Sequence, residues 1–186
     1  MKKQIHYKSA FENMSLEDIE KWIKLYHNRL IGSAIFSRNK SITSKLVQWA
    51  EKNKYKSYNF IPSHTGSIVE YNNDIYVFDM KPLYARIQPL SNYLYNTKDD
   101  FVLIMRDFIL DCNMFSKNIL EHVGEFYPFL SAINSILFKN ESKWRRHCSE
   151  LHLRELQKQD VYLGVNPEIT PDELWRIMKI WKIFFF

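Results

Sequence analysis

Apolar positions change period several times along this 186-residue chain. After Ser15, the residues Ile19, Trp22, Ile23 and Tyr26 recur at helical spacing. Ser15 suits the N-cap, and Asp18 falls at the third helical position, near the positive end of the dipole. Residues 31–36 form a short apolar run that reads as a strand. Residues 41–52 return to helical spacing, with Ile42, Leu46, Val47 and Ala50 on one face. Two strand-like runs follow, His64–Tyr71 and Asp74–Met80, separated by Asn72 and Asn73. Asparagine tolerates the positive φ that a two-residue hairpin turn requires, so these runs predict a β-hairpin. Pro82 is expected to end its second strand, and Pro89 restricts what comes next.

Residues 101–138 are rich in Leu, Ile, Phe and Met without strand alternation. They read as two helices, about 100–122 and 128–138, broken near Gly124 and Pro128. A further helix is expected over 146–159 and a short strand over 161–165. Thr170, Pro171 and Glu173 then make a capping box with proline at the first helical position. The aromatic tail, 180–186, reads as a buried strand or docking segment. The sum is an α+β chain, a small antiparallel sheet packed by helices.

Composition removes several function classes. The apolar fraction is 46% and net charge is +5, which suits a packed globule. With four glycines and no phosphate-loop pattern, nucleotide cradles are not expected. The basic cluster at 144–147 permits an anionic partner, but acidic residues are interspersed with the basic ones and no nucleic-acid partner is expected. Two cysteines, Cys112 and Cys148, are too few for a disulfide framework and fit a reducing compartment. The opening residues lack the apolar core of a secretory signal. No apolar run reaches the length of a membrane span. A cytoplasmic protein is the expectation, with release by lysis or another export route left open.

The candidate chemistry centres on Cys148, near the start of a predicted helix and just after the basic cluster. A helix N-terminus and a nearby cation both stabilise a thiolate. His64 opens a strand that could face such a helix end. If Asn72 and Asn73 form the turn, Tyr71 faces Asp74 and Gly66 faces Asp79. His64 and Asp79 are then diagonal neighbours on one face, where a carboxylate could orient the imidazole. Glu70 shares that face but lies six residues away, about 20 Å along a strand. Each of these residues also has a plain structural reading: Cys148 as a small core residue, His64 as a half-buried imidazole, and Asp79 as an edge charge that discourages aggregation. Cys148, His152 four residues on, and His147 are residue types that zinc uses, but they are too few ligands, and no metal or other cofactor is expected.

Taken together, Ser63-His64-Thr65-Gly66, then Val77-Phe78-Asp79, then Cys148-Ser149-Glu150-Leu151 resemble the circularly permuted NlpC-type papain-like cysteine peptidases, especially the YiiX-like group. Lecithin:retinol acyltransferase-like proteins share that layout. Residues 31–36, the pair Phe126-Tyr127, and Ile169-Thr-Pro-Asp-Glu-Leu174 are similar to lesser features of the same families. The match spans about 31–175. It departs at Ser33, where the families carry Asp, and at the third triad position, where relatives often use His or Glu.

The resemblance implies a permuted papain-like fold, with the His strand before the Cys helix. The helix before residue 30 lies outside the match, which leaves a helical extension at 1–30 and a permuted papain-like domain at 31–186 with a helical insertion around 100–138. The resemblance also implies a cysteine peptidase or amidase with Cys148 as nucleophile, His64 as base and Asp79 as orienting group. Tyr127 is a candidate oxyanion or substrate contact. The substrate is expected to be a peptide or amide, bacterial cell-wall peptide being one candidate. Two alternatives stay open: thioester or acyl-transfer chemistry on a lipid, and a binding module on the same fold.

Overall fold

The computed structural model describes residues 5–38, 40–41, 44–45, 48–49, 60–80, 83–127, 148–166 and 169–180. The predicted helix at 128–138, most of that at 41–52, the basic cluster at 144–147 and the tail beyond residue 180 lie outside these. Seven strands are described: β1 (Ile5–Tyr7), β2 (Ala34–Arg38), β3 (His64–Tyr71), β4 (Asp74–Met80), β5 (Leu83–Pro89), β6 (Asp100–Ile104) and β7 (Phe126–Tyr127). They form an antiparallel sheet in the order β1-β6-β2-β3-β4-β5-β7. The described helices are α1 (Leu16–Leu30), α2 (Leu90–Asn96), α3 (Cys112–Leu120), α4 (Cys148–Gln157) and α5 (Pro171–Ile180). The chain is therefore α+β, with a small antiparallel sheet packed by helices.

Local chemistry accounts for several of these elements. Ser15 and Asp18 close a reciprocal capping box on α1. The same device opens α5: the Thr170 N–H donates to Glu173 at 2.9 Å, and the Glu173 N–H donates to the Thr170 hydroxyl at 3.3 Å. Asn72 and Asn73 both adopt positive φ, 51° and 64°, as the β3–β4 turn demands. That turn sets a register in which Tyr71 faces Asp74 and Gly66 faces Asp79.

Alternation divides the sheet between two sets of helices. On β2, Ser37 is opposite Phe101, whose ring packs on Phe11 and on Tyr93 of α2. The neighbouring Phe36 points the other way, against Trp175 of α5. Ser67 of β3 shares that second face and meets His152 of α4. One continuous core contains side chains from α1, the central strands and α4.

Some sequence expectations are corrected. Residues 100–104 are not helical: they form β6, between β1 and β2 in the sheet. Phe101, Val102, Leu103 and Ile104 are all buried, and a strand covered on both faces has no polar alternation to distinguish it from a buried helix. Only Cys112–Leu120 of the expected 100–122 helix is helical, so the 100–138 stretch is not simply a helical insertion. Residues 161–165 do alternate in burial, with Val161 and Leu163 inward, but they pair with no strand and are irregular. Strands β1, β5 and β7 and helix α2 were not anticipated. The N-terminal stretch is also more than a helix: β1 extends the sheet through β6, and Ile19, Ile23 and Leu30 enter the common core.

Candidate functional site

The β3–β4 hairpin builds one half of the site. Asp79 faces Gly66, and His64 lies two residues along the same face, which makes the two diagonal neighbours. The Nε2 of His64 is hydrogen-bonded to Oδ1 of Asp79. Asp79 is 1% exposed, while the His64 side chain retains 23% exposure. Gly66, opposite Asp79, has little room for a side chain. A Cβ there would stand 2.8 Å from Cγ1 of Val77 and 3.4 Å from the carbonyl oxygen of Phe78. It would also project from the face shared by His64 and Asp79.

Helix α4 brings the other half. Cys148, its first residue, is 6% exposed, and its sulfur accepts the Thr65 N–H at 3.4 Å. The thiol and the His64 ring lie within electrostatic range of one another, and each shifts the titration of the other. Because Nε2 is on Asp79, Nδ1 is the ring nitrogen left for the sulfur. The structure thus brings together Cys148, His64 and Asp79, although 84 positions separate the first two in the sequence.

The electrostatics of the pair are cooperative. Burial alone would push the Cys148 thiol up. The facing His64 cation and the Thr65 N–H overcome that and hold the thiol below its ordinary value. Burial alone would likewise push His64 down. The Asp79 carboxylate and the Cys148 sulfur outweigh it, so the imidazole is held well above its ordinary value. Both shifts favour a thiolate–imidazolium pair, which titrates as a unit.

The residues after Cys148 anchor it. The Ser149 hydroxyl donates to the Ile169 carbonyl at 2.6 Å, joining the start of α4 to the segment that caps α5. Glu150 pairs with Arg154 one turn on, at 2.6 Å, and Leu151 is in the core. The remaining candidates are placed as follows. Glu70, at the far end of β3, lies 3.8 Å from the His27 ring. Tyr127 lies in β7, which is separated from β3 by β4 and β5, and its side chain is outside the described part. Among the described residues no cluster of three or more His, Cys, Asp or Glu side chains could hold a metal ion.

Three contributors were not read from the sequence. The Thr65 N–H is backbone chemistry, invisible in residue type. Tyr93, buried on the Asp79 side, hydrogen-bonds Ser37, and its phenol is pushed up by burial and by the Asp79 charge. It comes from a helix of seven residues, too short to declare a helical period in the sequence. His152 hydrogen-bonds Ser67. Its spacing of four residues from Cys148 puts both on one helix face, but a bond to a strand serine has no signature in the sequence.

No protein-family model matches the chain, and no curated protein matches it. Among the described residues no helix is long and apolar enough to cross a membrane.

Proposed function

We propose that this chain is a cysteine hydrolase of the circularly permuted papain-like type, cleaving an amide bond through Cys148, His64 and Asp79. The observation that carries the reading is the joint placement of a buried thiol, an imidazole that interacts with it and a carboxylate hydrogen-bonded to that imidazole. A core cysteine needs no such partners, and an edge aspartate would not be 1% exposed.

In the proposed reaction, Nδ1 of His64 holds the thiol proton and the thiolate attacks the carbonyl carbon. The carbonyl oxygen becomes an oxyanion, for which the Cys148 N–H at the helix start is one available donor. The C–N bond then breaks, the amine departs with the proton from His64, and a thioester to Cys148 remains. Water gives a proton to His64, attacks the thioester and releases the acid. Asp79 keeps the proton on Nε2 in the neutral ring, so that Nδ1 is the basic nitrogen, and stabilises the imidazolium.

The test is capture of the covalent intermediate. Wild-type protein is incubated with activated amide and ester panels of peptide and fatty-acyl type, then quenched in acid and mapped by mass spectrometry. The reading expects an acyl adduct on Cys148 from peptide-type amides, absent in Cys148→Ala and strongly reduced in His64→Ala. Adducts from fatty-acyl donors alone would transfer the same machinery to lipid acyl transfer. No adduct from any donor would leave the binding-module alternative.

A further inference from the structure

We infer that His152 and Ser67 form a buried positioning tie that fixes the helix bearing Cys148 on the strand bearing His64. The inference rests on the proposed role of Cys148 as nucleophile. Nδ1 of His152 lies 2.8 Å from the Ser67 hydroxyl, with His152 0% and Ser67 3% exposed. His152 follows Cys148 by four residues, one turn along the same helix face. Ser67 follows His64 by three residues on β3. The tie and the reactive contacts are thus two points of attachment between the same two elements.

The need for such a tie follows from what surrounds it. Leu151, Leu153 and Leu156 seat α4 through apolar contact, which is non-directional and tolerates small slips. The Thr65 N–H and the His64 ring act on the sulfur only at hydrogen-bond range. A directional side-chain bond one turn away restricts sliding and roll of the helix, and the Phe115 ring, edge-on at 5.6 Å, supports the imidazole from the side.

His152 is also costly if judged as a stabilising residue. Its Nε2 is buried without a hydrogen-bond partner. Burial pushes its pKa down to about 4, so the ring is neutral in ordinary buffers. The tautomer that suits the site carries the proton on Nδ1 and donates it to Ser67, since the other would bury an unpaired N–H. An apolar residue of similar size would leave no orphaned nitrogen. A polar pair kept in such a place trades stability for a fixed geometry.

The test is the pH dependence of Cys148 alkylation by iodoacetamide, in a Cys112→Ser background so that one thiol reports. The wild-type profile is expected to show a thiol titrating below the ordinary range. His152→Leu should raise the apparent pKa by about one unit, the size of one charge-assisted hydrogen bond. That is an approximately tenfold loss of rate near pH 6. Its melting temperature should change little, since the orphaned Nε2 is removed while the buried Ser67 hydroxyl loses this partner. His152→Asn, whose amide nitrogen can replace Nδ1, should restore most of the profile. Ser67→Ala should reproduce the His152→Leu shift without adding to it in the double variant, and it carries the test if His152→Leu does not fold. A wild-type profile retained in both single variants overturns the positioning role while leaving the nucleophile reading intact. An ordinary thiol profile in the wild type overturns the nucleophile reading, and the tie with it.

Discussion

Replacing Asp79 by asparagine separates charge from shape at the most buried member of the proposed triad. The side-chain volume is nearly unchanged, so packing at this 1% exposed position is preserved. What changes is the interaction with His64 Nε2. Unit charges roughly 4 Å apart at an effective dielectric of about 20 attract by about 4 kcal/mol. Taking about 3 kcal/mol as the net loss, at about 1.4 kcal/mol per factor of ten, the thiolate–imidazolium population falls by about two orders of magnitude. The amide can also donate to Nε2, which moves the ring proton to Nδ1 and removes the base from the sulfur. The assay is the second-order rate of Cys148 alkylation at pH 6 in a Cys112→Ser background. A loss of about 10²-fold is expected, with circular dichroism unchanged. The sign of the stability effect is also fixed. A histidine held above its unfolded value contributes stability below pH about 6.5 and loses it as pH rises through its native value. Asp79→Asn should therefore destabilise most between about pH 5 and 6.5, and less in alkaline buffer. Alkylation at the wild-type rate by a folded Asp79→Asn protein would refute this reasoning.

Other perturbations probe separate parts of the account. Cys148→Ala removes one of the groups that hold His64 up, so the ring's pKa, followed by NMR, should fall relative to wild type; an unchanged value would mean the two do not interact. Gly66→Val should reduce covalent labelling and cost about 1–3 kcal/mol in denaturant unfolding, because its side chain meets Val77 and the Phe78 carbonyl and pushes β3 from β4, the two strands that carry His64 and Asp79; full labelling with unchanged stability would show that the close strand approach is not needed. Ser149→Ala leaves the buried Ile169 carbonyl without this donor and should cost about 1–3 kcal/mol, measurable as a shift in the urea midpoint.

The hairpin and its consequences were readable because they are local. Asn72 and Asn73 fix the turn, the turn fixes the register, and the register pairs Gly66 with Asp79 and so places His64 beside Asp79. Both capping boxes were readable for the same reason. What was not readable depends on contacts remote in sequence. Residues 100–104 carry an apolar run compatible with helix or buried strand, and only their place between β1 and β2 decides it. The short β1 and β7 have too few residues to carry a period, whereas β5 does alternate, with Leu83, Ala85 and Ile87 against Tyr84, Arg86 and Gln88, a legible strand signal between the prolines at 82 and 89. At the site, residue types pointed to the thiol, the imidazole and the carboxylate. They did not reveal the Thr65 N–H on the sulfur or the His152–Ser67 bond, because both arise from how α4 docks on β3.

The central claim is that Cys148 and His64 share a proton as an ion pair in the resting protein. The most direct measurement is the thiolate absorbance of the Cys112→Ser protein as a function of pH, with the Cys112→Ser, Cys148→Ser double variant as the blank. The expected inflection lies below the ordinary thiol range of about 8.5 and returns to or above that range in His64→Ala. A wild-type inflection at the ordinary value, unmoved by His64→Ala, would contradict it.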